Sequence, residues 1–458
     1  IEINKGWIEQ GIELYQQQKE NNKSFHLPTF DSLEKDYMLA SGNQLGALSS
    51  VRAGVRLNAR YPITPATDWN IWIDKALKQL YGDDPTKWFS LEVGSETQAM
   101  MVASAMGSGG ARVSFATSLP GMNNMGENFA YHSHANIPGT VLWNIQRKGT
   151  ATGAPSRTDD GDLTIATTLG GSEAFRVVLA PGNIESFMTT PAVAHNIADR
   201  GIAVIGIGNQ WSNMNTYTVP KFSSIDEPII DRGIVRTPDN VLNSEDPIAY
   251  ARLLEDNLGK HHVAGIPGAS MFRGAIAKAE LSPYDASGGG VYTEKSIDVK
   301  KHADLAAAKV DLISDMLPKP NIIKYNNGRS ISEVYDGSQE NGKYGLIVWS
   351  SVVEPAREAQ AILEKQGYDV DILQLQTVHP ITKEHRDLIK EFIDKYDNGN
   401  VYVAEQNRDG QLRKIILSES VLATEGTTIP KINLINKYDG FQMTTDYIMR
   451  KMNLGGNK

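Results

Sequence analysis

The sequence predicts an α/β protein built on parallel sheets, with a second, smaller α/β unit at its C-terminal end. Short apolar segments, such as residues 113–117 and 140–145, alternate with segments of helical periodicity over most of the chain. Strands that alternate with helices in this way pair in parallel, because the chain must cross back over one face of the sheet between them. The composition, 40% hydrophobic and 22% charged, supplies enough apolar side chains for such cores.

Composition also excludes several classes of function. At 458 residues the chain has room for about three structural units. Its formal net charge of −9 argues against a nucleic-acid binder, which needs a positive field to meet phosphate. The absence of cysteine excludes disulfides, thiolate-bound zinc, a thiol nucleophile and an iron–sulfur cluster held by this chain. No apolar run reaches about 18 residues, so the sequence predicts no membrane span.

The first α/β unit is predicted over residues 37–235. Helices are expected over residues 42–57, 66–80, 96–106, 125–135 and 183–199, and strands over residues 88–93, 113–117, 140–145, 175–179 and 202–207. Residues 58–65 are predicted as a strand that runs into a turn, because Pro62 and Pro65 cannot lie inside a helix. Residues 118–124 are predicted as a turn, and residues 146–162 as a long irregular stretch.

The rest of the chain is predicted in three parts. Residues 1–36 form an N-terminal helix, at residues 5–18, and a linker; since the sequence begins with Ile, we expect it to start inside a longer gene product. Residues 236–339 form a less regular connector with a helix at 295–317. The second α/β unit, residues 340–458, is predicted to contain strands at 345–349, 368–375 and 401–404 and helices at 354–366, 382–395 and 410–420.

Some familiar signals are too weak to carry a function. The glycines at residues 206–208 and 107–110 lack the full spacing of a dinucleotide-binding loop and its distal acid. His132 and His134 are two residues apart, which places them on different sides of a helix. We therefore predict no metal site in this chain.

Four motifs, in one order along the chain, resemble a known family. They are Tyr61-Pro62-Ile63-Thr64-Pro65, then Gln146-Arg147 with Gly153-Ala154-Pro155-Ser156-Arg157-Thr158, then Gly161-Asp162-Leu163, and finally Glu405-Gln406-Asn407 with Gly410-Gln411-Leu412. Together they resemble the α subunit of 2-oxoacid:ferredoxin oxidoreductases over roughly residues 37–458. The resemblance implies a pyrimidine-type thiamine diphosphate (ThDP)-binding domain followed by a domain similar to the C-terminal domain of transketolases.

The resemblance also implies an activity. Enzymes of this family oxidatively decarboxylate a 2-oxoacid, such as 2-oxoglutarate or pyruvate, to an acyl-coenzyme A and CO₂, and pass electrons to ferredoxin. The α subunit holds the aminopyrimidine of ThDP, whereas the β subunit binds the diphosphate through Mg²⁺ and carries a [4Fe–4S] cluster. The resemblance thus implies a cytoplasmic hetero-oligomer with a β subunit and a fused or separate γ-type domain, and no nucleic-acid or membrane partner.

ThDP chemistry needs a carboxylate that hydrogen-bonds N1′ of the aminopyrimidine in a water-poor setting, so that the 4′-amino group can act as a base. Two acids stand close together, Glu92 at the end of a strand and Glu96 at the start of a helix. The resemblance favours Glu96 as the catalytic and cofactor-binding acid, and Glu92 is the reserve candidate. An acid in the first turn of a helix is also typical of a residue that only complements the helix dipole.

The resemblance assigns the substrate to Thr64 and Arg147. An arginine pairs with a carboxylate through two hydrogen bonds and keeps its charge when partly buried. Arg147 follows a strand, so it is expected at the carboxyl edge of the sheet, where ligands of such folds bind. Thr64 is carried on a rigid turn and is expected to donate a hydrogen bond. Ser118 and the adjoining segment are expected to line the cofactor pocket, that segment consisting of Gly121, Met122 and Asn123.

Two further groups of polar residues are predicted to stabilise loops. Arg157 and the acids at 159, 160 and 162 are expected to satisfy each other's charges, although contact with coenzyme A is the alternative. Glu405 and Asn407 are expected to stabilise a turn. Two other functions remain open from the sequence: a non-catalytic scaffold subunit of the same fold, and a ThDP enzyme of transketolase or dehydrogenase type without a cluster.

Overall fold

In the computed structural model the chain forms two compact units, Ile1–Tyr37 and Met38–Lys458. The residues that the structure describes are 13, 36–151, 153–171, 174–236, 262–264, 281–282, 291–292, 295–325, 342–397, 399–420 and 431–454. Several predicted segments lie outside these residues. They are the helix at 5–18 apart from Glu13, most of the 1–36 segment, and much of the 236–339 connector. The proposed division into four segments stays a prediction.

Within the described residues the strands alternate with helices. The strands are β1 (Tyr37–Ser41), β2 (Leu57–Arg60), β3 (Phe89–Glu92), β4 (Val113–Thr117), β5 (Thr140–Gln146), β6 (Arg176–Leu179), β7 (Ala203–Asn209), β8 (Thr216–Pro220), β9 (Ile234–Arg236), β10 (His262–Ala264), β11 (Leu281–Ser282), β12 (Val291–Tyr292), β13 (Asn321–Ile323), β14 (Lys343–Val348), β15 (Asp369–Gln374), β16 (Thr377–His379), β17 (Val401–Glu405) and β18 (Ile432–Asn436).

The α-helices follow the same order. They are α1 (Gly42–Arg52), α2 (Thr67–Tyr81), α3 (Glu96–Ser108), α4 (Leu119–Asn124), α5 (Gly126–His134), α6 (Leu163–Thr168), α7 (Thr190–Ala198), α8 (Gln210–Met214), α9 (Ser296–Ile313), α10 (Val353–Lys365), α11 (Lys383–Asp394), α12 (Gln411–Ile415) and α13 (Thr445–Met452). Short 3₁₀ turns lie at Glu185–Met188, Phe222–Ser224, Ser314–Met316 and Ser350–Val352, and a π-helical turn at Ile416–Ser420. None of the helices so described is long and apolar enough to cross a membrane.

A seven-stranded sheet organises the first half of the structure. Its strand order is β16-β6-β7-β5-β4-β2-β3, and the pairs from β6 to β3 are parallel. β16 comes from the later part of the chain and adds to β6 in the antiparallel direction. The carboxyl ends of β2, β3, β4, β5 and β7 therefore meet at one edge of the sheet.

A five-stranded sheet organises the second half. Its order is β13-β15-β14-β17-β18, with β14, β15, β17 and β18 parallel and β13 antiparallel to β15. The predicted fold class, α/β with parallel sheets and a smaller second α/β unit, is confirmed.

Local sequence explains where the helices begin. Ser41 and Gln44 form a capping box at the start of α1: the Ser41 hydroxyl accepts from the Gln44 N–H at 3.3 Å, and the Gln44 side chain accepts from the Ser41 N–H at 2.8 Å. Ser95 and Thr382 accept from backbone N–H groups in the first turns of α3 and α11. Such caps satisfy N–H groups that have no partner inside the helix.

Both faces of the seven-stranded sheet are covered by apolar side chains. On one face the rings of Trp69 and Trp143 lie 4.4 Å apart between α2 and β5. On the other face a larger cluster joins the two sheets, since it includes Phe115 and Ile205 of the first sheet and Ile347 and Phe392 of the second unit. A shared core of this kind fixes the two sheets against each other, because separating them would expose its apolar surface to water.

The structure departs from the predicted elements in a few places. The predicted turn at 118–124 contains the short helix α4, and the predicted helix at 183–199 is split into a 3₁₀ turn and α7, with Pro191 in the first turn of α7. The predicted helix at 410–420 changes to a π-helical turn after Ile415. The strands β1, β8, β9, β10, β11, β12, β13, β16 and β18 were not predicted, nor were α6, α8 and α13.

Candidate active site

The structure places the predicted site residues on neighbouring strands. Thr64 follows β2, Glu96 follows β3, Ser118 follows β4 and Arg147 follows β5, and these four strands are adjacent in the order β5-β4-β2-β3. All four residues therefore lie along the same carboxyl edge of the sheet, which is where this class of fold binds ligands.

Glu96 lies against the turn that follows β4. It is half-buried in the first turn of α3, after the capping residue Ser95. Gly121 approaches it so closely that an added Cβ at Gly121 would lie 2.7 Å from Glu96 Cγ and 2.1 Å from Thr117 Oγ1. Asn124 Nδ2 donates to Glu96 Oε2 at 3.4 Å. Glu96 thus packs tightly against Gly121 and accepts a hydrogen bond from Asn124, an arrangement that we call the Glu96 cradle. It leaves no room for a side chain at position 121.

Glu92, the reserve candidate, has a different environment. Its side chain is 56% exposed and its Oε2 lies 3.4 Å from Nε of Arg60 in an ion pair. An exposed carboxylate paired with an arginine lacks the water-poor setting that a strong interaction with N1′ needs. The geometry favours Glu96 over Glu92.

Two buried hydroxyls at the carboxyl end of β4 have no hydrogen-bond partner among the described residues. They are Thr117 Oγ1, at the end of β4, and Ser118 Oγ, in the residue that follows. Buried polar atoms are almost always hydrogen-bonded, so an unpartnered pair next to a carboxylate points to a ligand that completes them. A carboxylate and two hydroxyls, lying next to the Gly121 cradle, fit the polar edge of an aminopyrimidine ring.

The other residues predicted for the cofactor pocket are divided between core and surface. Met122 is fully buried and belongs to the apolar cluster shared by the two sheets. Asn123 is exposed, and the amide that reaches Glu96 belongs to its neighbour Asn124. Sequence reasoning did not single out Asn124, and a run of two asparagines gives no signal of which one turns toward the acid.

Arg147 and Thr64 are in direct contact. Arg147 is 7% exposed; its Nη1 donates to the Thr64 carbonyl at 2.7 Å and its Nη2 to the Ala151 carbonyl at 3.3 Å. Its Nε has no partner among the described residues. Burial lowers the pKa of Arg147, while the nearby charge of Asp162 raises it. The guanidinium is therefore oriented by backbone carbonyls and still has N–H groups to offer a carboxylate.

The acids that follow Arg147 do organise their own loop, but mostly without opposite charges. Among the described residues Asp159 forms an ion pair with Lys148 Nζ at 3.2 Å, while Arg157 stacks over the ring of Phe441 at 4.4 Å. Asp160 and Asp162 are buried and accept hydrogen bonds from neutral side chains, and burial raises the pKa of each to about 7. These contacts agree with the predicted internal role, but mutual neutralisation, its assumed reason, does not hold for Asp160, whose side-chain donors are all neutral. The alternative, contact with coenzyme A, stays a prediction.

Glu405 and Asn407 stabilise a turn, as predicted. Glu405 is fully buried at the end of β17, where it accepts from the N–H groups of Leu412 and Arg413 at 2.9 and 3.2 Å and from Asn407 Nδ2 at 2.6 Å. Burial raises the pKa of Glu405, and these donors lower it. The carboxylate thus caps α12 from outside the helix. Within the described part of the chain no group of three or more potential ligands could hold a metal ion.

Comparison with known proteins shows which family the chain resembles. A family model described as pyruvate flavodoxin/ferredoxin oxidoreductase, thiamine diphosphate-binding, matches residues 49–250. These residues contain Thr64, Glu96, Ser118 and Arg147. The matched region is therefore similar to the ThDP-binding domain of that family, and this similarity indicates the class of protein.

Curated relatives show the same similarity over more of the chain. The α subunit of 2-oxoacid:ferredoxin oxidoreductase 1 from Aeropyrum pernix is 26% identical over 425 residues, covering 92% of this chain and 61% of its own length. The corresponding subunit from Saccharolobus solfataricus is 24% identical over 93% of this chain and 62% of its own length. The 2-oxoglutarate synthase subunit KorA of Methanocaldococcus jannaschii is 22% identical and is covered over 94% of its length.

A solved structure matches the fold. The 2-oxoglutarate:ferredoxin oxidoreductase from Magnetococcus marinus has a TM-score of 0.76 at 21% identity, over 96% of this chain and 70% of that chain. The predicted resemblance to α subunits of 2-oxoacid:ferredoxin oxidoreductases is confirmed. The chain spans less than two thirds of the length of the first two relatives.

Proposed function

We propose that this chain acts as the α subunit of a 2-oxoacid:ferredoxin oxidoreductase, in which Glu96 holds the aminopyrimidine of ThDP and Arg147 with Thr64 binds the 2-oxoacid. The observation that carries the proposal is the cradle of Glu96 beside two unpartnered hydroxyls, on the same sheet edge as a buried, oriented arginine. When bound, ThDP supplies the electron sink that decarboxylation of a 2-oxoacid requires.

The residues of this chain would each have a defined task. The carboxyl group of Glu96 would hydrogen-bond N1′ of the aminopyrimidine, and its partly buried position would strengthen that hydrogen bond. The hydroxyls of Thr117 and Ser118, buried and unpartnered at the end of β4, would supply further hydrogen-bonding groups for the ring. Arg147 fixes the substrate carboxylate, and the Thr64 hydroxyl, exposed at the same edge, donates to the keto oxygen.

A partner chain is expected to complete the site. The sheet edge next to Glu96 exposes apolar side chains: β3 is the terminal strand, Phe89 and Leu91 on it are 45% and 37% exposed, and Met101 of α3 is 56% exposed. Exposed apolar side chains on an edge strand are typical of an interaction surface. We propose that a β subunit covers this surface and supplies Mg²⁺ and a [4Fe–4S] cluster, since this chain has no thiolates.

The wider proposal follows the relatives' names. The substrate is a 2-oxoacid such as 2-oxoglutarate or pyruvate, coenzyme A accepts the acyl group, and ferredoxin accepts the electrons. A γ-type domain, fused or separate, belongs to the same assembly, which we expect to work in the cytoplasm.

The test is reconstitution. The chain is co-expressed with its β subunit, and reduction of methyl viologen is followed with ThDP, Mg²⁺, coenzyme A and either 2-oxoglutarate or pyruvate. We expect reduction that requires both subunits and one of the two acids. A correctly assembled complex with its cluster intact but no 2-oxoacid-dependent reduction would favour the scaffold function, and activity without any iron would favour a transketolase-type or dehydrogenase-type enzyme.

A further inference from the structure

Asp160 lies at the junction of the two sheets and accepts four hydrogen bonds. Its Oδ1 accepts from Gln146 Nε2 at 3.3 Å, Asn209 Nδ2 at 2.8 Å and Ser350 Oγ at 3.0 Å, and its Oδ2 accepts from Gln406 Nε2 at 3.1 Å. Gln146 and Asn209 end strands of the first sheet, whereas Ser350 and Gln406 follow strands of the second. The carboxylate thus joins four strand ends, two from each sheet.

The three amides around Asp160 can present only donors to it. The oxygen of Gln146 accepts from the N–H of Asp162 at 3.0 Å, that of Asn209 from the N–H of Ser212 at 3.0 Å, and that of Gln406 from the N–H of Met443 at 2.6 Å. Since each oxygen is held by a backbone donor, each NH₂ group must face the carboxylate. The pocket is built for an acceptor of several hydrogen bonds.

Gln146 connects this junction to the substrate arginine. It is the last residue of β5 and directly precedes Arg147. The loop that begins at Arg147 returns to the same glutamine, since Asp160 and Asp162 both contact its side chain. The loop therefore starts next to Gln146 and is hydrogen-bonded to the side chain of Gln146 at its other end.

We propose that Asp160 is a positioning residue through which the second sheet fixes Arg147 for substrate binding. The inference rests on the proposed function, and it gives residues 342–454 a part in substrate affinity beyond support of the fold. Asp160 touches neither substrate nor cofactor; it acts through Gln146 and through the loop.

The first test is Asp160→Asn. Whichever carboxylate oxygen becomes an NH₂ group, at least one donor loses its acceptor, and the fixed amides cannot turn to restore it. Two backbone links to the second sheet remain, Asp160 N–H to the Gln406 carbonyl at 2.9 Å and Asn407 Nδ2 to the Asp160 carbonyl at 3.3 Å, so the loop stays attached. In the reconstituted complex we expect the KM for the 2-oxoacid to rise at least about tenfold, as for loss of a hydrogen bond to a charged group, with a much smaller change in kcat.

A second variant distinguishes a positioning role of Asp160 from a general loss of folding stability. Ser350→Gly removes one donor from the second sheet, and glycine adopts the φ of +55° at this position more readily than serine does. We expect a KM raised several-fold with no fall in melting temperature. The matched control is Gln411→Ala, which breaks one link to the same loop, to the Gly161 carbonyl at 2.7 Å, and one to the start of α6, from the Thr164 N–H at 2.8 Å. It touches neither Gln146 nor Asp160. Its KM should stay near that of the wild type.

Labelling of Arg147 by phenylglyoxal, followed by peptide mass spectrometry, separates this proposal from the proposed function. We expect faster labelling in Asp160→Asn and Ser350→Gly than in the wild type and in Gln411→Ala. If the two variants are labelled faster but the wild type has no 2-oxoacid activity, the positioning role of Asp160 stands and the proposed oxidoreductase function is refuted. Unchanged labelling and unchanged KM in an active Asp160→Asn complex would overturn the positioning role.

Discussion

Replacement of Gly121 by alanine is a direct probe of the Glu96 cradle. Gly121 lies in α4 with an ordinary helical backbone, so alanine suits its local conformation and should favour the helix by roughly 0.5–1 kcal/mol. The added Cβ, however, would lie 2.7 Å from Glu96 Cγ, where ordinary contact begins at 3.4 Å. Thr117 Oγ1, which lies 2.1 Å from the same Cβ, and Glu96 must then both move to restore van der Waals contact, Glu96 by about 0.7 Å or more.

We expect Gly121→Ala to lower kcat rather than the stability of the fold. Misplacement of a catalytic group by about 1 Å lowers the rate on the order of 10²-fold, so Gly121→Ala should reduce kcat by about that factor while the protein remains folded. The assay is 2-oxoacid-dependent viologen reduction, with circular dichroism and thermal melting as checks of the fold. The matched control is Gly126→Ala, whose Cβ would meet only Leu169 Cδ1 at 3.9 Å and should leave kcat unchanged. Retention of more than half of the wild-type kcat by a folded Gly121→Ala complex would refute the cradle.

Three further substitutions test other parts of the structure. Arg147→Lys removes the planar fork, and we expect the KM for the 2-oxoacid to rise by about 10–100-fold in steady-state assays; an unchanged KM would remove Arg147 from the substrate site. Glu405→Gln places an NH₂ group against the backbone donors that begin α12, and urea unfolding should show a loss of about 1–3 kcal/mol, whereas unchanged stability would show that the cap is dispensable. Asp199→Asn leaves the buried Arg112 and its neighbour Arg232 without their shared carboxylate, so the free energy of unfolding should fall by about 3–5 kcal/mol. That cluster lies at the amino end of β4, so the kcat of the folded fraction should not change, and a selective loss of kcat would contradict this.

Local sequence predicted the central strands well. β4 and β5 are buried along their whole length and are bounded by turn residues, so their apolar runs mark them almost to the residue. The three-residue strands β13 and β16 carry no such signal, because their place depends on pairing with β15 and β6 rather than on their own composition.

Part of the site was predictable because the central strands were located correctly. The strand before Arg147 placed that residue at the carboxyl edge of a parallel sheet, whereas Thr64 and Glu96 were assigned to the site by the resemblance to a known family. The contact of Arg147 with the Thr64 carbonyl could not be read from side-chain types, since it uses the backbone. The Asp160 junction was missed because Asp160 and Gln406 are 246 residues apart and neutral amides have no recognisable spacing.

The most direct test of the account compares Glu96→Gln with Glu92→Gln in the reconstituted complex. ThDP occupancy is measured by equilibrium dialysis and turnover by viologen reduction with the 2-oxoacid. We expect Glu96→Gln to lose nearly all turnover with the fold intact, and Glu92→Gln to stay close to the wild type because its acid lies in an exposed ion pair. A folded Glu96→Gln complex with near-normal turnover would contradict the assignment of Glu96 and, with it, the proposed site.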